Sequence, residues 1–307
     1  MQISQTDRTE WATLWLIMGC YGLWALGLML WQTAFWAVGL LLLPIAAAFH
    51  TSLQHETIHG HPTRFPWLNE VLVSLPLAAV FPYRRYRDLH LQHHRDEHLT
   101  DPFEDPESYF WAAGDVQRMS DFQRTLFELN NTFLGRLLVG PALTMVGFAR
   151  TERRRLLADE PGVRRAWLLH LIGLAVLITL LLVIGMPLWL YVLGVIYPAL
   201  ALTAVRSYAE HQAAENVGAR SAVVEAGPFW SMLFLNNNLH IVHHASPTTP
   251  WYDLPKLYSE RRQIYLTANE NTVFMGYGDV WRRFAFSKKQ SVDHPLMHRE
   301  GDEARTP

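Results

Sequence analysis

Three short stretches of the chain carry histidines at spacings that suit metal binding. His55 and His59 lie four residues apart in HETIHGH (residues 55–61), and the boxes at residues 90–94 and 240–244 both read H-x-x-H-H. Positions three or four apart in an α-helix share a face, so each box can aim three imidazole nitrogens at one point. Imidazole binds iron, copper, zinc and nickel, so these ligands predict a metal centre without selecting the metal.

The number of histidines distinguishes two interpretations of HETIHGH. H-E-x-x-H is the pattern of zinc proteases, in which the glutamate activates a water molecule. A catalytic zinc takes three protein ligands, so two additional H-x-x-H-H boxes exceed what a protease needs. Two metals with four or five imidazoles each account for the number. The predicted ligands are His55, His59, His90, His93, His94, His211, His240, His243 and His244.

Carboxylates beside the boxes are predicted to orient the ligands. A metal-bound imidazole usually donates its second ring N–H to a carboxylate or a backbone carbonyl, which fixes the orientation of the ring. The candidates for this role are Glu56, Asp88, Glu97 and Glu210. Glu56 is thereby interpreted as a neighbour of the ligands and not as the base of a protease.

Six histidines lie outside the predicted ligand set: His50, His61, His98, His170, His294 and His298. The two that border the boxes, at positions 61 and 98, are weaker ligand candidates, with a place beside the ligands or at the surface as the alternative. The two inside apolar segments, at 50 and 170, are predicted to be packed or hydrogen-bonded in the core. The two near the C-terminus are predicted to be solvated.

Long uncharged segments predict membrane-spanning helices. Residues 11–54 and 166–205 contain no Asp, Glu, Lys or Arg. One crossing needs about 20 apolar residues, so each segment fits a hairpin of two helices. We expect spans at about 11–31, 33–53, 166–184 and 187–208. Two buried hairpins in a soluble protein are the alternative, and they would need a very large core.

The arginines predict the orientation in the membrane. They are concentrated between the two hairpins, whereas both hairpin turns are uncharged. Basic residues stay on the cytoplasmic side, so we expect both termini and the central region there, at the inner membrane if the cell is bacterial. Residues 66–81 are predicted to form an interfacial or re-entrant helix, and residues 122–148 one or two amphipathic helices in the interface. Residues 1–287 are predicted to form a single domain with a cytoplasmic helical cap, followed by a loose tail at 288–307.

Composition excludes several other classes of protein. Only 18% of residues are charged, against about 25% in ordinary soluble domains. The net charge of −2 gives no indication of nucleic-acid binding. Cys20 is the only cysteine, which excludes intrachain disulfides, iron–sulfur clusters and cysteine-ligated zinc.

The order of the boxes, with a hairpin between the second and third, resembles the integral-membrane fatty acid desaturase superfamily. The stretches that carry the resemblance are HETIHGH, HLQHHRDEH, EHQ and NNNLHIVHH followed by PWYDLP, within residues 35–260. The resemblance implies an all-α membrane protein with four transmembrane helices and a cytoplasmic cap that holds two iron ions (Fe2+/Fe3+) on the nine histidines. Some members hold a metal-bound water with an asparagine four residues before the histidine equivalent to His211. That position is Ser207 here, a further candidate neighbour of the metals.

The resemblance also implies chemistry in which O2 and two electrons attack an unactivated C–H bond. A desaturase acting on an acyl chain of a lipid or acyl carrier is the leading prediction. A hydroxylase or ketolase (a monooxygenase) acting on a fatty chain, carotenoid or small metabolite is the alternative, because substrate placement decides between the outcomes. A histidine-rich metal transporter is a remote alternative, since its ligands should lie near the membrane midplane.

The expected partners are the lipid bilayer, a hydrophobic substrate and a separate electron donor. The chain contains no cysteine motif, Gly-rich dinucleotide fingerprint or His-Pro-Gly-Gly haem segment. Electrons are therefore expected from ferredoxin or a similar soluble or membrane protein. The basic residues Arg153, Arg154 and Arg155 can receive an acidic carrier, and the alternative is that they only set the orientation in the membrane. The stretch PYRRYRDLH at 82–90 can meet an anionic head group, a carboxylate or lipid phosphate.

Overall fold

The protein is described by a computed structural model of residues 9–297, which are mostly helical. The helices are α1 (Trp11–Trp31), α2 (Trp36–Ile58), α3 (Pro66–Leu72), α4 (Tyr83–His93), α5 (Ala113–Gln117), α6 (Asp121–Asn130), α7 (Phe133–Leu138), α8 (Gly140–Leu157), α9 (Val163–Val183), α10 (Leu188–Tyr191), α11 (Tyr197–Glu210), α12 (Pro228–Leu233), α13 (His240–Ala245), α14 (Leu254–Ala268) and α15 (Tyr277–Phe284). Short 3-10 turns cover Asp96–His98 and Val217–Arg220. The strands are β1 (Val223–Val224) and β2 (Val273–Phe274), which pair in parallel.

Within residues 9–297, four helical stretches are long and apolar enough to cross a membrane: α1, α2, α9 and Leu188–Glu210. Their positions confirm the four predicted spans. Large apolar side chains such as Trp15, Leu41 and Val183 are exposed on them, as expected of surfaces that face lipid tails rather than water. Helix α2 continues beyond the predicted span at 33–53 to Ile58, which places His55 within the helix, as the helical spacing of His55 and His59 predicts.

The first hairpin depends on two glycines at the contact between α1 and α2. A Cβ added at Gly39 would lie 2.5 Å from the carbonyl oxygen of Gly27, and a Cβ at Gly27 would lie 2.9 Å from the Leu43 side chain. Helices in membranes associate largely by close packing, because lipid is as apolar as the side chains themselves. These glycines therefore let the two backbones approach.

The fourth span contains a local widening of the helix. Val192–Ile196 forms a π-helical turn between α10 and α11. Pro198 follows it, and a proline ring collides with the carbonyl four residues earlier, here Gly194, in a regular α-helix. The π turn gives that carbonyl another position, so the helix continues through the proline to Glu210.

The described residues form two compact units, the first made of residues 9–88, 141–203 and 232–235. In this unit Arg85 donates two hydrogen bonds to Glu152, at 2.9 and 3.0 Å, and both side chains are buried. Trp167 Nε1 donates to the same carboxylate at 2.9 Å. The prediction that His50 and His170 are hydrogen-bonded in the core is confirmed in this unit. His50 lies 3.2 Å from the Tyr21 hydroxyl, and His170 lies 3.2 Å from the Ala79 carbonyl oxygen.

The second unit comprises residues 89–140, 204–231 and 236–297. Its apolar core joins β1, α13 and α14 through buried residues that include Val223, Val242 and Tyr258. Core packing thus fixes α13, the helix that carries the third histidine box. The second box lies on α4 and continues into His94.

Regions predicted as interfacial are helical but more divided than expected. The apolar segment from 66 forms only the seven-residue α3. Residues 122–148 fall in α6, α7 and the first half of α8, where Ser120 and Thr132 cap the starts of α6 and α7. Their place at a membrane surface stays a prediction.

The C-terminal segment 288–297 corrects one prediction. His294 is completely buried and hydrogen-bonded to Thr100, so the expectation of a solvated side chain is wrong. Val292 is buried as well. His298 lies outside the described residues.

Candidate metal centre

Four histidines of the second unit converge in what we call the four-histidine group: His93, His211, His240 and His244. Each offers a ring nitrogen, and these nitrogens all lie within 4.8 Å of one another. The Nε2 atoms of His211 and His93, His240 and His211, and His244 and His240 are 3.0, 2.8 and 3.2 Å apart. Two nitrogens at right angles around a metal, each about 2.1 Å from it as in zinc sites, would be about 3.0 Å apart. The spacing therefore fits a shared metal ion.

The outer nitrogens of this group show that the inner nitrogens are acceptors. Nδ1 of His93 lies 2.8 Å from Asp105, Nδ1 of His211 lies 3.1 Å from the Arg220 carbonyl, and Nδ1 of His240 lies 3.1 Å from Glu210. Carbonyl and ionised carboxylate oxygens only accept, so Nδ1 of His93 and of His211 carries the hydrogen and donates it. Nδ1 of His240 does the same, since it also lies 3.1 Å from the amide oxygen of Asn237. In the neutral rings of His211 and His240, the Nε2 lone pairs then face each other at 2.8 Å. Such an arrangement is repulsive unless a cation lies among them.

The pKa values of the group indicate the same need for a cation. Burial lowers the pKa of His211 and of His240 well below the ordinary histidine value, so both rings are neutral. Burial acts in the same direction on His93, but the carboxylates of Glu107 and Asp105 raise its pKa to about 9. A cation is therefore favoured beside His93, whether it is a proton or a metal ion.

A second set, the three-histidine group, lies in the same unit and contains His90, His94 and His243. Nε2 of His94 lies 2.9 Å from Nε2 of His90 and 3.0 Å from Nε2 of His243. Nδ1 of His90 donates to Glu107 at 2.8 Å, although about a third of that carboxylate side chain is exposed. The two groups are adjacent, since the rings of His94 and His244 stack with centroids 4.3 Å apart.

Each H-x-x-H-H box is divided between the two groups, which corrects the expectation that a box aims all its nitrogens at one point. In each box, the histidines at the first and fifth positions belong to the same group, as His90 and His94 do. The histidine at the fourth position belongs to the other group, as His93 does. At 100° per residue, position i+4 lies about 40° to one side of position i and position i+3 about 60° to the other. The two boxes therefore interlock to form two sites.

His55 and His59 lie in the first unit at the end of α2. Both are buried, and their ring centroids are 4.9 Å apart. They share one face of the helix, as their spacing predicts. Their participation in a metal site stays a prediction.

The acids predicted to orient the ligands have different environments. Glu210 is buried and contacts both His240 and Arg206, the latter at 3.0 Å. Asp88, Glu97 and Ser207 are exposed, and their roles stay predictions. The half-buried His98 stays a weaker candidate as well.

Glu56 lies in a separate buried cluster of the first unit. His61 Nδ1 lies 2.6 Å from Glu10, and His61 Nε2 lies 4.0 Å from Glu56. All three side chains are buried. Glu10 also donates its backbone N–H to the Pro62 carbonyl, so this cluster attaches the start of α1 to the segment after α2.

Sequence reasoning missed three residues that contact the ligands: Asp105, Glu107 and Asn237. Asp105 accepts from His93, Glu107 from His90, and Asn237 Oδ1 lies 3.1 Å from His240 Nδ1. The two acids belong to the loop TDPFEDPE, 12 and 17 residues beyond their histidines. No helical period links such positions, and the acid-rich composition of this loop was the only signal.

Comparison with known families gives one match. The sequence model of the fatty acid desaturase family matches residues 31–274, which is most of the chain. The matched range contains all nine predicted ligands. A comparison with curated proteins finds no match.

Proposed function

The chain belongs to the fatty acid desaturase family, and on that premise we propose that it is an O2-dependent membrane enzyme that introduces a double bond into the acyl chain of a lipid or acyl carrier. Family membership indicates an oxidoreductase of the desaturase or hydroxylase type. The four membrane-capable helices suit a lipid or another hydrophobic substrate. The observation that supports the proposal most is the convergence of seven buried histidines in two adjacent groups.

The donor set fits two iron ions. Neutral imidazoles bind iron without adding negative charge, and hydrogen-bonded Nδ1 atoms keep each ring in the tautomer that a metal needs. A pair of irons would supply the activation of O2 needed to oxidise an alkyl C–H bond. The overall reaction balances as one –CH2–CH2– unit, O2, two electrons and two protons giving –CH=CH– and two waters.

We further propose His55 and His59 as the remaining ligands of the three-histidine group. With them, the nine predicted ligands divide into sets of four and five. Their spacing of four residues matches that of His90 and His94, the pair that stays together in the second box. The family resemblance assigns both histidines to the same centre.

The protein's own groups have definite tasks in this proposal. Asp105, Glu107 and Glu210 hold the Nδ1 protons of His93, His90 and His240 and so keep the ring planes fixed. Burial of the rings keeps bulk water away from the oxidising centre. The substrate needs only to present two adjacent carbons there, and its placement decides between desaturation and oxygen insertion.

We propose that the centre faces the cytoplasm and receives electrons from a separate acidic carrier such as ferredoxin. Arg153 and Arg154 are exposed on α8 and suit such a partner. A charge-reversal series at these arginines should slow electron transfer from the carrier. Unchanged transfer with normal membrane insertion would show that the arginines only set orientation.

The test is expression with a compatible reductase, followed by mass spectrometry of lipids and small metabolites. Loss of two hydrogens from an acyl chain would support the proposal. Gain of one oxygen would show a hydroxylase, and metal uptake into vesicles without O2 consumption would show a transporter. His93→Ala and His243→Ala should each abolish turnover, whereas Glu104→Gln, at an exposed position, should not.

A further inference from the structure

The C-terminal segment 288–297, which we call the C-terminal brace, is held firmly on the second unit. Trp111 donates its backbone N–H to Val292 at 2.9 Å, and His294 donates its N–H to the Trp111 carbonyl at 3.0 Å. Asn131 Nδ2 donates to the carbonyl of Ser291 at 3.0 Å. The brace is therefore placed by backbone pairing, and its side chains have defined partners.

Lys289 contacts the backbone of one predicted ligand directly. Its Nζ donates to the carbonyls of Tyr208, Ala209 and His211, at 2.9, 3.4 and 2.6 Å. Helix α11 ends at Glu210, and the last carbonyls of a helix have no partner within it. An ammonium group there satisfies these oxygens and complements the negative end of the helix dipole. Lys289 thus fixes the backbone at His211.

His294 is connected to a second ligand through two residues. Its Nδ1 accepts backbone N–H bonds from Leu296 and Met297, so its hydrogen lies on Nε2 and points to Thr100 Oγ1 at 3.1 Å. The backbone N–H of Thr100 donates to Asp105 Oδ2 at 2.9 Å. The other oxygen of Asp105 receives the Nδ1 hydrogen of His93 at 2.8 Å.

We propose that the C-terminal brace positions the four-histidine group for metal binding. Lys289 fixes the backbone at His211 through its hydrogen bonds. His294 supports the His93 ring through the hydrogen bonds of Thr100 and Asp105. Both are positioning residues, because neither side chain contacts the Nε2 atoms that face the metal. The inference rests on the proposed function only in taking this group to be a metal site.

The first test separates the two hydrogen-bonding functions of His294. In His294→Gln the side-chain amide can reach Thr100 but cannot replace Nδ1, whereas in His294→Asn the amide oxygen can replace Nδ1 but cannot reach Thr100. We expect His294→Asn to weaken one of two metal affinities, by no more than the about 10- to 100-fold that losing a direct partner of a ligand causes. His294→Gln should bind both metals as the unaltered chain does.

The second test uses Lys289 and its exposed neighbour. Lys289→Met removes the three carbonyl contacts and should weaken the same single site, whereas Lys289→Arg should restore much of the affinity. Lys288→Met is the matched control, since Lys288 is exposed and pairs with Glu128 at 3.5 Å. Metal binding is measured by titrating the metal-free, full-length protein in detergent with Co2+ and recording the visible absorption of bound cobalt.

The outcomes separate this inference from the proposed function. The inference is overturned if His294→Asn and Lys289→Met bind two Co2+ as tightly as the unaltered chain. It is also overturned if His294→Gln lowers the metal affinity and His294→Asn does not. That order is expected if His294 only anchors the chain end. An unaltered chain that binds both metals but forms no oxidised product would refute the enzyme activity and leave the brace intact.

Discussion

Replacing Asp105 with asparagine tests whether a carboxylate outside the predicted ligand set controls the metal centre. Oδ1 of Asp105 accepts from His93 Nδ1 and from the backbone N–H of Glu107, at 2.8 and 2.9 Å, and Oδ2 accepts from Thr100 N–H at 2.9 Å. Both oxygens therefore face donors. Asparagine has one oxygen and one NH2 group, so either orientation puts a donor against a donor and removes the negative charge next to His93.

The expected magnitude has two parts. Loss of a group that supports a ligand typically lowers metal affinity 10- to 100-fold, which is about 1.4 to 2.8 kcal/mol. The misplaced NH2 group costs a further ~1–3 kcal/mol, because a buried hydrogen-bonding group loses its partner. The second cost acts with or without metal. Stability of the metal-free protein therefore reports the second cost together with the loss of the charge beside the protonated His93, and metal affinity reports the first.

The assay compares Asp105→Asn with Glu104→Gln, which removes one carboxylate charge from an exposed neighbour in the same loop. Iron per chain is measured after dialysis against graded chelator concentrations, and thermal unfolding is measured without metal. We expect the Asp105 variant to lose one of two irons at 10- to 100-fold lower chelator strength. Equal iron retention in both variants would refute the assignment of Asp105 as a support of His93.

Three further outcomes follow from the structure. Glu152→Ala should lower the free energy of unfolding by about 3–5 kcal/mol, because it removes both short hydrogen bonds to the buried Arg85 and leaves this side chain with the exposed Asp88 at 3.6 Å. Adding Arg85→Met should recover most of that loss in thermal unfolding in detergent. Gly39→Ala should destabilise the first hairpin by about 1–3 kcal/mol through overpacking against α1, whereas Gly19→Ala, where nothing lies within 4 Å, should be neutral in the same assay. Chelation should abolish turnover, and Fe2+ but not Zn2+ should restore it, because zinc has no redox chemistry.

The membrane spans could be predicted well from the sequence because their signal is local. A run of about 20 uncharged apolar residues matches the thickness of a bilayer whatever the rest of the chain does, and the four spans lie close to their predicted positions. The end of α2 lies beyond the end of its apolar run, and only the spacing of His55 and His59 indicates this extension. Apolarity stops where lipid contact stops, but the helix continues through Gln54 and Glu56, whose side chains are buried. Hydropathy alone cannot distinguish polar residues buried in protein from polar residues in water.

The histidines of the boxes could be recognised because their signal, a short spacing along one helix, is also local. Their division into two groups could not be predicted. Spacing shows which histidines share a helix face, but the partition depends on which helix lies opposite. His93 pairs with His211 and His240 only because the second unit brings α4, the end of α11 and α13 together. Asp105 and His294 were missed because their contacts span 12 and 194 residues of the chain, and no short pattern encodes such distances.

The lone-pair geometry gives the strongest physical reason to regard this centre as built for a cation. A histidine cluster selected only for packing would gain most by letting imidazoles donate to one another. Here the outer acceptors Asp105, Glu210 and the Arg220 carbonyl take the hydrogens outward. The Nε2 atoms of the neutral His211 and His240 are thereby left with lone pairs that face each other at 2.8 Å, an arrangement that is repulsive without a cation between them. A bound metal removes this repulsion, so metal binding and the stability of the second unit should rise and fall together.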